Sequence, residues 1–462
     1  MSEDWEKLAG EKGERVPTGR LKRAWKLGSM SAKVTASSLM SKVGNSLLPG
    51  TAERKEEAMR RSLEKNAARA VEALGQLKGA SMKVGQLLSA DPEMLPEGFA
   101  DGLTSLQSDA PPMTYITVRD QIESALDRPL ETVFSYFDPD PIGSASLGQV
   151  HRARLESGED VAVKVQYPGV AESFESDIKT LKGFLLYARA VMEKERLDAY
   201  LAEIKRIMDD ELDYRIECEN LLRFREILKD KEGIKVPRPF PEWTRSSVLV
   251  MEFMEGVKLD EALAKIEDQT RRNDILTRWV ALFSWMFHEN FELHADPHPG
   301  NFLLTDNEDL VLLDFGCVKS YDPSFPDAFL DALDAVWQED NERAVDAFLA
   351  IGFGSEKLRR DDIDADLLAE YNRIVLAPFL TNEPFDFKTW APARDGRMFM
   401  LRHPSFFRLT PPPEAISYMR VLSGIKGLLA KMEAKIEVAS LAVETSRRRG
   451  RLSAEPKIFS SK

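Results

Sequence analysis

The stretch His294-Ala295-Asp296-Pro297-His298-Pro299-Gly300-Asn301, followed by Val311-Leu312-Leu313-Asp314-Phe315-Gly316, decides how this chain is read. Phosphoryl transfer from ATP needs a carboxylate near the acceptor, an oxygen ligand for a divalent metal a few residues on, and a second carboxylate bridging metal and phosphates. Asp296, Asn301 and Asp314 supply these groups, with the Asp-x4-Asn spacing of a kinase-type catalytic loop. An Asp-Phe-Gly tripeptide alone is weak evidence; the apolar segment before it and the upstream Asp-x4-Asn make it specific. The competing reading takes His294, Asp296 and His298 as transition-metal ligands. Two prolines within five positions forbid a helix there and no third histidine lies nearby, so that reading loses, and His294 becomes a residue that orients the loop.

Such chemistry requires an upstream lysine on a strand and a glutamate to hold it. Val161-Ala162-Val163-Lys164-Val165 is a β-branched strand after a turn at Ser157-Gly158, and it presents Lys164. Helical composition returns from about 172 to 230 and offers Glu217 as the partner. Asp213 shares its helical face four residues earlier, while Glu211 points elsewhere. Before the strand, Pro141-Ile142-Gly143-Ser144-Ala145-Ser146-Leu147-Gly148-Gln149-Val150-His151 is rich enough in small residues for backbone N–H groups, Ala145 and Ser146 among them, to approach phosphates. Neither Gly-x-Gly-x-x-Gly nor Gly-x4-Gly-Lys-Ser/Thr occurs, which excludes the Rossmann and P-loop readings. A second strand, Ser247 to Glu252, follows Pro237, Pro239 and Pro241.

Around this centre the composition is that of a globular protein. The 462 residues suffice for two to four folding units, 43% are hydrophobic, and the net charge of −14 argues against a general nucleic-acid binder. Two cysteines, Cys218 and Cys317, are too few for a disulfide scaffold and point to a reducing compartment. The longest apolar run, Trp279 to Phe287, contains Ser284 and is far too short to cross a bilayer. The acidic start Met-Ser-Glu-Asp-Trp-Glu is unlike a secretory signal, so the expectation is a cytoplasmic, soluble chain. Residues 15 to 50 interleave Arg20, Lys22, Arg23, Lys26, Lys33 and Lys42 with Leu21, Trp25, Leu27, Met30 and Val34. That is a pattern for an anionic membrane surface or, equally, a solvated arm.

Taken together, Lys83-Val84-Gly85-Gln86, Glu211-Leu212-Asp213, the loop ending Gln149-Val150-His151, and the His-Ala-Asp-Pro-His-Pro-Gly-Asn run resemble the UbiB/AarF family of atypical kinases. The motifs span residues 83 to 316, and Leu103 to Pro112 is similar too. The resemblance implies an α+β, helix-rich, two-lobe protein-kinase-like fold with an N-terminal helical extension covering the active-site cleft. In that layout residues 1–50 form a basic amphipathic or flexible segment and 51–130 the extension. The N-lobe takes 131–254, the helical C-lobe 255–446, and a basic polar tail 447–462. Lys83 would pair with Glu211, Gln86 would share its helical face, and Lys164 would pair with Glu217. Glu252 and Met254 would form the hinge that receives adenine. The resemblance further implies ATP and Mg2+ as cofactors, Asn301 and Asp314 as metal ligands, and Asp296 as the residue that positions a water or hydroxyl. Prenylated quinone precursors, or enzymes of ubiquinone biosynthesis, are the implied partners, with peripheral contact to an anionic membrane. Gly143 and Ser144 stand where the family carries alanines, which leaves the nucleotide preference open. Two rivals remain at this stage: a nucleotide-binding scaffold without turnover, and a small-molecule phosphotransferase.

Overall fold

The computed structural model describes residues 112–145, 147–171, 194–354 and 358–459. The stretches 1–50 and 51–111, with Lys83 and Gln86, lie outside the described residues, as does Ser146. Two compact units account for the rest: one comprises residues up to Ile227 together with Pro237–Met254, the other Leu228–Val236 and Glu255 onward.

Five antiparallel strands form the sheet of the first unit: β1 (Phe134–Phe137), β2 (Gly143–Ala145), β3 (Gly148–Leu155), β4 (Asp160–Gln166) and β6 (Val248–Glu252). They run in the order β1-β3-β4-β6, with β2 hairpinned onto β3. Side chains alternate across a strand. One face of β4 therefore carries Val161, Val163 and Val165, which meet Val248, Val250, Leu155 and Ala153 under helix α1 (Tyr115–Leu126) through its Val118, Ile122 and Leu126. Thr114 caps α1 by accepting from the Thr117 N–H, and Asp127 ends it in a left-handed conformation. The opposite face carries Ala162, Lys164 and Gln166. Helices α2 (Lys194–Glu211) and α3 (Tyr214–Ile227) follow, and α3 packs near β6.

The continuous helix expected across this region is broken at Leu212-Asp213. Asp213 does not share a helical face with Glu217; its carboxylate accepts from the Arg215 N–H at 3.0 Å and so starts α3 as a capping residue. Asp is poor inside a helix and good at its start, because its short side chain competes for backbone N–H groups.

In the second unit a four-stranded sheet has the order β5-β10-β9-β7, from β5 (Ile234–Lys235), β7 (Val257–Lys258), β9 (Phe302–Leu304) and β10 (Leu310–Leu312). A two-stranded ladder joins β8 (Glu292–His294) to β11 (Val318–Ser320). Helices α4 (Leu259–Lys265), α5 (Gln269–Trp285), α6 (Ser324–Trp337), α7 (Asn341–Ile351), α8 (Ala365–Val375), α9 (Pro392–Arg402), α10 (Ala415–Lys431) and α11 (Ala439–Arg448) complete it. Trp279 and Phe283 of α5 meet Phe302 edge to face, and each such buried aromatic is worth about 2 kcal/mol in area removed from water. Among the described residues no helix is long and apolar enough to cross a membrane.

Part of the segment expected as a basic polar tail is tied to the fold by ion pairs. Helix α11 runs to Arg448, and beyond it Arg449 and Arg451 both bind the buried Asp327 of α6, at 3.0 and 2.8 Å. The Ser453 N–H donates to Asp334 on the same helix. Removing both guanidinium groups from Asp327 strands a buried carboxylate. The Arg449→Ala/Arg451→Ala double variant is therefore expected to lose about 3 kcal/mol of stability, whereas Arg447→Ala, which breaks an exposed pair with Glu455, loses under about 0.5 kcal/mol. Urea unfolding midpoints measure the contrast.

His288, in the π-helical turn Met286–Asn290 that follows α5, is fully enclosed, and burial pushes its imidazole down to about 4. Because the folded protein resists a proton that the unfolded chain accepts near 6.5, this contribution to stability is complete above that pH and is lost as pH falls toward 4. Between pH 7 and pH 5 the loss is expected to be about 2 kcal/mol. His288→Gln should show a correspondingly flatter pH dependence of its urea midpoint.

Candidate phosphotransfer site

In the first unit the sheet register places Lys164 opposite Val150 and Leu249. Its ammonium donates to Glu217 Oε1 at 2.6 Å and lies 5.4 Å from the centre of the Tyr214 ring. Both members of the pair are buried, at 4% and 2% exposure. Burying two charges costs several kcal/mol in desolvation, so such a pair rarely stabilises a fold over an apolar alternative. Its presence points to a use for the lysine's charge. Tyr214, at the first position of α3, carried no sequence signal for this contact.

Glu211, the last residue of α2, is also buried. It sits on a different helix from Glu217 because of the break at 212–213. Ala145 ends β2 and pairs with Gly148 across the β2–β3 turn. A β-carbon at Gly148 would stand 2.0 Å from the Val165 carbonyl oxygen, so only glycine lets β3 lie this close to β4 beside the hairpin. Gln149 and His151 point to the α1 side of the sheet. Gln149 Oε1 accepts from the Met113 N–H at 2.7 Å, its Nε2 meets His151 Nε2 at 2.7 Å, and His151 Nδ1 meets the Asp138 carbonyl at 2.8 Å. These two side chains tie the start of α1 to the sheet, a structural task the motif did not reveal. At the end of β6, the Glu252 N–H donates to the Arg238 carbonyl at 2.7 Å, and the Glu252 carboxylate accepts from the Arg238 N–H at 3.0 Å. Both the N–H and the carboxylate of Glu252 are thus engaged by Arg238. Met254 is the last residue of this unit.

The second unit assembles the loop from 294 to 301. His294 ends β8 opposite Val318 and is fully buried among Phe283, Phe302 and Phe315. Its Nδ1 accepts from the Asp296 N–H at 3.4 Å while its Nε2 meets the Asp314 carbonyl, which fixes one neutral tautomer. Burial pushes the imidazole below its ordinary range and keeps it neutral. No metal ligation is open to a ring occupied on both nitrogens, which removes the transition-metal reading.

Pairing of β9 with β10 sets Phe302 opposite Leu312, and the Leu313 N–H donates to the Asn301 carbonyl at 2.9 Å. Asn301 and the residue before Asp314 are thus neighbours at the base of one hairpin. Asp314 Oδ1 accepts from the Gly316 N–H at 3.0 Å, and Asn301 Nδ2 reaches the Asp296 carbonyl at 3.5 Å. Pro299–Asn301 forms a single 3₁₀ turn, which a leading proline permits. A carboxylate and an amide oxygen suit magnesium, which keeps several waters and takes its remaining ligands from phosphates. Among the described residues no cluster of three or more His, Cys, Asp or Glu has the geometry of an all-protein metal cage.

Asp296 is buried, and Arg420 of α10 donates to its Oδ1 at 2.9 Å. Arg420 was missed from sequence. The available signal was a cation on the otherwise apolar and small stripe Ser417, Val421, Gly424, Ile425 and Leu428 of α10.

Comparisons with known proteins bear on the family and the fold. The model of the ABC1 atypical kinase-like domain matches residues 105–348. The chain is 32% identical over 395 residues to "Atypical kinase coq-8, mitochondrial" of Caenorhabditis elegans, covering 82% of this chain and 50% of that protein. It is 31% identical over 454 residues to "Atypical kinase COQ8, mitochondrial" of Saccharomyces cerevisiae, covering 94% of this chain and 86% of the yeast protein. The solved complex of Rv3197 with erythromycin from Mycobacterium tuberculosis aligns over 85% of this chain and 98% of that chain, with a TM-score of 0.59 and 25% identity. The expected kinase-like α+β fold is borne out.

Glu217→Gln would leave the Lys164 ammonium buried beside a neutral amide and is expected to lower stability by about 3 kcal/mol. Adding Lys164→Met should recover part of that loss, since the double variant buries no charge at this position. Thermal unfolding of the two variants checks the non-additivity.

Proposed function

This chain belongs to the ABC1/UbiB family of atypical kinases, and we propose that it binds Mg-ATP and transfers or hydrolyses its terminal phosphoryl group in support of ubiquinone or related prenyl-lipid biosynthesis at a membrane surface. The observation that supports the phosphoryl-transfer reading is that one hairpin base sets Asn301 against Leu313, the residue before Asp314, next to an aspartate that is buried and held. Magnesium bound there would neutralise charge developing on the transferred group. Asn301 and Asp314 would hold it, and Lys164, kept in place by Glu217, would meet the α- and β-phosphates. Backbone groups around Ala145 and Ser146 would cover the phosphates, and the Glu252 carbonyl with the Met254 backbone would receive adenine. Asp296 would orient the attacking oxygen. Lys83, Gln86 and Glu211 would take part in the same chemistry, as the family resemblance implies.

The prenyl-lipid role and the membrane surface rest on the family and on the basic segment within residues 15–50. The first of the two relatives above extends well beyond the part matched, so its full activity is carried over only as part of this proposal.

Asp314→Asn is expected to abolish the stabilisation of the protein by Mg-ATP, because magnesium would lose the carboxylate that would hold it. Asp296→Asn should keep that stabilisation and lower phosphate release by about 100-fold or more. Phosphate release measured with and without anionic liposomes and a phenolic quinone-precursor mimic separates the alternatives. Stimulation by both supports the lipid-linked activity. Binding without any release, unchanged by Asp296→Asn, supports a nucleotide-binding scaffold instead.

A further inference from the structure

Two residues of α10, four apart and so on one helical face, press on the loop that carries Asp296. The first is Arg420. Its Nη2 donates to Asp296 Oδ1 at 2.9 Å, an oxygen that also accepts from the His298 N–H at 3.4 Å. Its Nη1 lies 3.6 Å from the sulfur of Cys317, the residue directly after Asp314-Phe315-Gly316. The Cys317 carbonyl in turn accepts from the Ala295 N–H at 2.9 Å. One buried guanidinium therefore touches both the segment leading to Asn301 and the segment leaving Asp314.

The second residue is Gly424. A β-carbon there would stand 2.4 Å from Pro297 Cγ and 3.1 Å from its Cβ, so the helix backbone lies against the proline ring with no room for a side chain. Proline fixes the backbone beside Asp296, and the helix fixes the proline. A charged fork and a bare helix surface thus constrain neighbouring residues of one loop, and they do so from outside every motif that marks the phosphotransfer chemistry.

We propose that the Arg420–Gly424 face of α10 is a positioning clamp. It holds the Asp296 carboxylate in its working orientation and fixes its placement relative to the Asp314 segment, without contacting nucleotide. The inference rests on the reading of Asp296 given above. Arg420 is assigned as a positioning residue because it binds the Asp296 carboxylate and lies against Cys317.

The test uses the full-length protein and four variants: Arg420→Met, Arg420→Lys, Gly424→Ala and Arg420→Met/Asp296→Asn. Release of the carboxylate is expected to lower kcat for phosphate release by about 100-fold in Arg420→Met, with KM for Mg-ATP and the Mg-ATP thermal shift within about threefold of wild type. Arg420→Lys should recover part of the loss. Gly424→Ala, which keeps the charge pair and displaces Pro297, should lose about tenfold in kcat. The double variant should fall no lower than Asp296→Asn alone, because Arg420 acts through that side chain. Unchanged kcat in Arg420→Met, a raised KM with intact kcat, or an additive loss in the double variant would overturn the clamp.

Hydrogen exchange provides a readout that does not depend on turnover. Amides of residues 294–301 should exchange faster in Arg420→Met and Gly424→Ala than in wild type, with α5 and α6 unchanged. Equal exchange rejects the clamp. If wild-type protein releases no phosphate while these amides still loosen in the variants, the phosphotransfer reading fails and takes the working role of the clamp with it, whereas unchanged amides in an active protein overturn the clamp alone.

Discussion

A neutral imidazole inside an aromatic cage holds together the two segments that carry Asp296 and Asp314. His294 takes the Asp296 N–H on one nitrogen and gives its proton to the Asp314 carbonyl from the other, so one ring ties two chain segments far apart in sequence. Phe283, Phe302 and Phe315 enclose it, and this enclosure keeps it neutral and its tautomer fixed. The β8–β11 ladder carries His294, and the register of the β9–β10 hairpin sets Asn301 beside the segment leading to Asp314. A charged ring in this place would seek a counter-ion, and the two segments would lose their shared anchor.

Buried charge is the second theme. Lys164 with Glu217, and Asp296 with Arg420, are pairs that a stability argument alone would replace with apolar residues. Each instead presents a charge in a fixed direction, which is what catalysis by electrostatic preorganisation requires. The pair between Asp327 and the arginines at 449 and 451 differs. It fastens the segment after α11 to α6, so its work is structural.

Much of this was legible because phosphoryl transfer demands particular oxygen-bearing side chains at short, rigid spacings. The loop from 294 to 301 and the Asp-Phe-Gly that follows carry nearly the whole demand in local sequence. The Lys164 strand was legible for another local reason, the β-branched run after a glycine turn. The helix break at 212–213 was not foreseen, because acidic and leucine-rich composition runs through it unchanged and only the capping habit of Asp213 marks the stop. The C-terminal arginines read as a polar tail because nothing in the tail names the aspartates of α6. Arg420 and Gly424 stand over one hundred residues from the loop they touch, and no spacing rule reaches that far.

By itself, the sequence determined the family, the candidate residues for the proposed chemistry and the strand and loops that bear them, since each of these is set by neighbours a few positions away. Tertiary structure decided which charges are buried, which partner each one meets, and that a glycine on a distant helix must stay bare against Pro297. The division follows from range. Backbone geometry and turn chemistry act over a handful of residues, whereas burial and ion pairing depend on what the folded chain brings alongside.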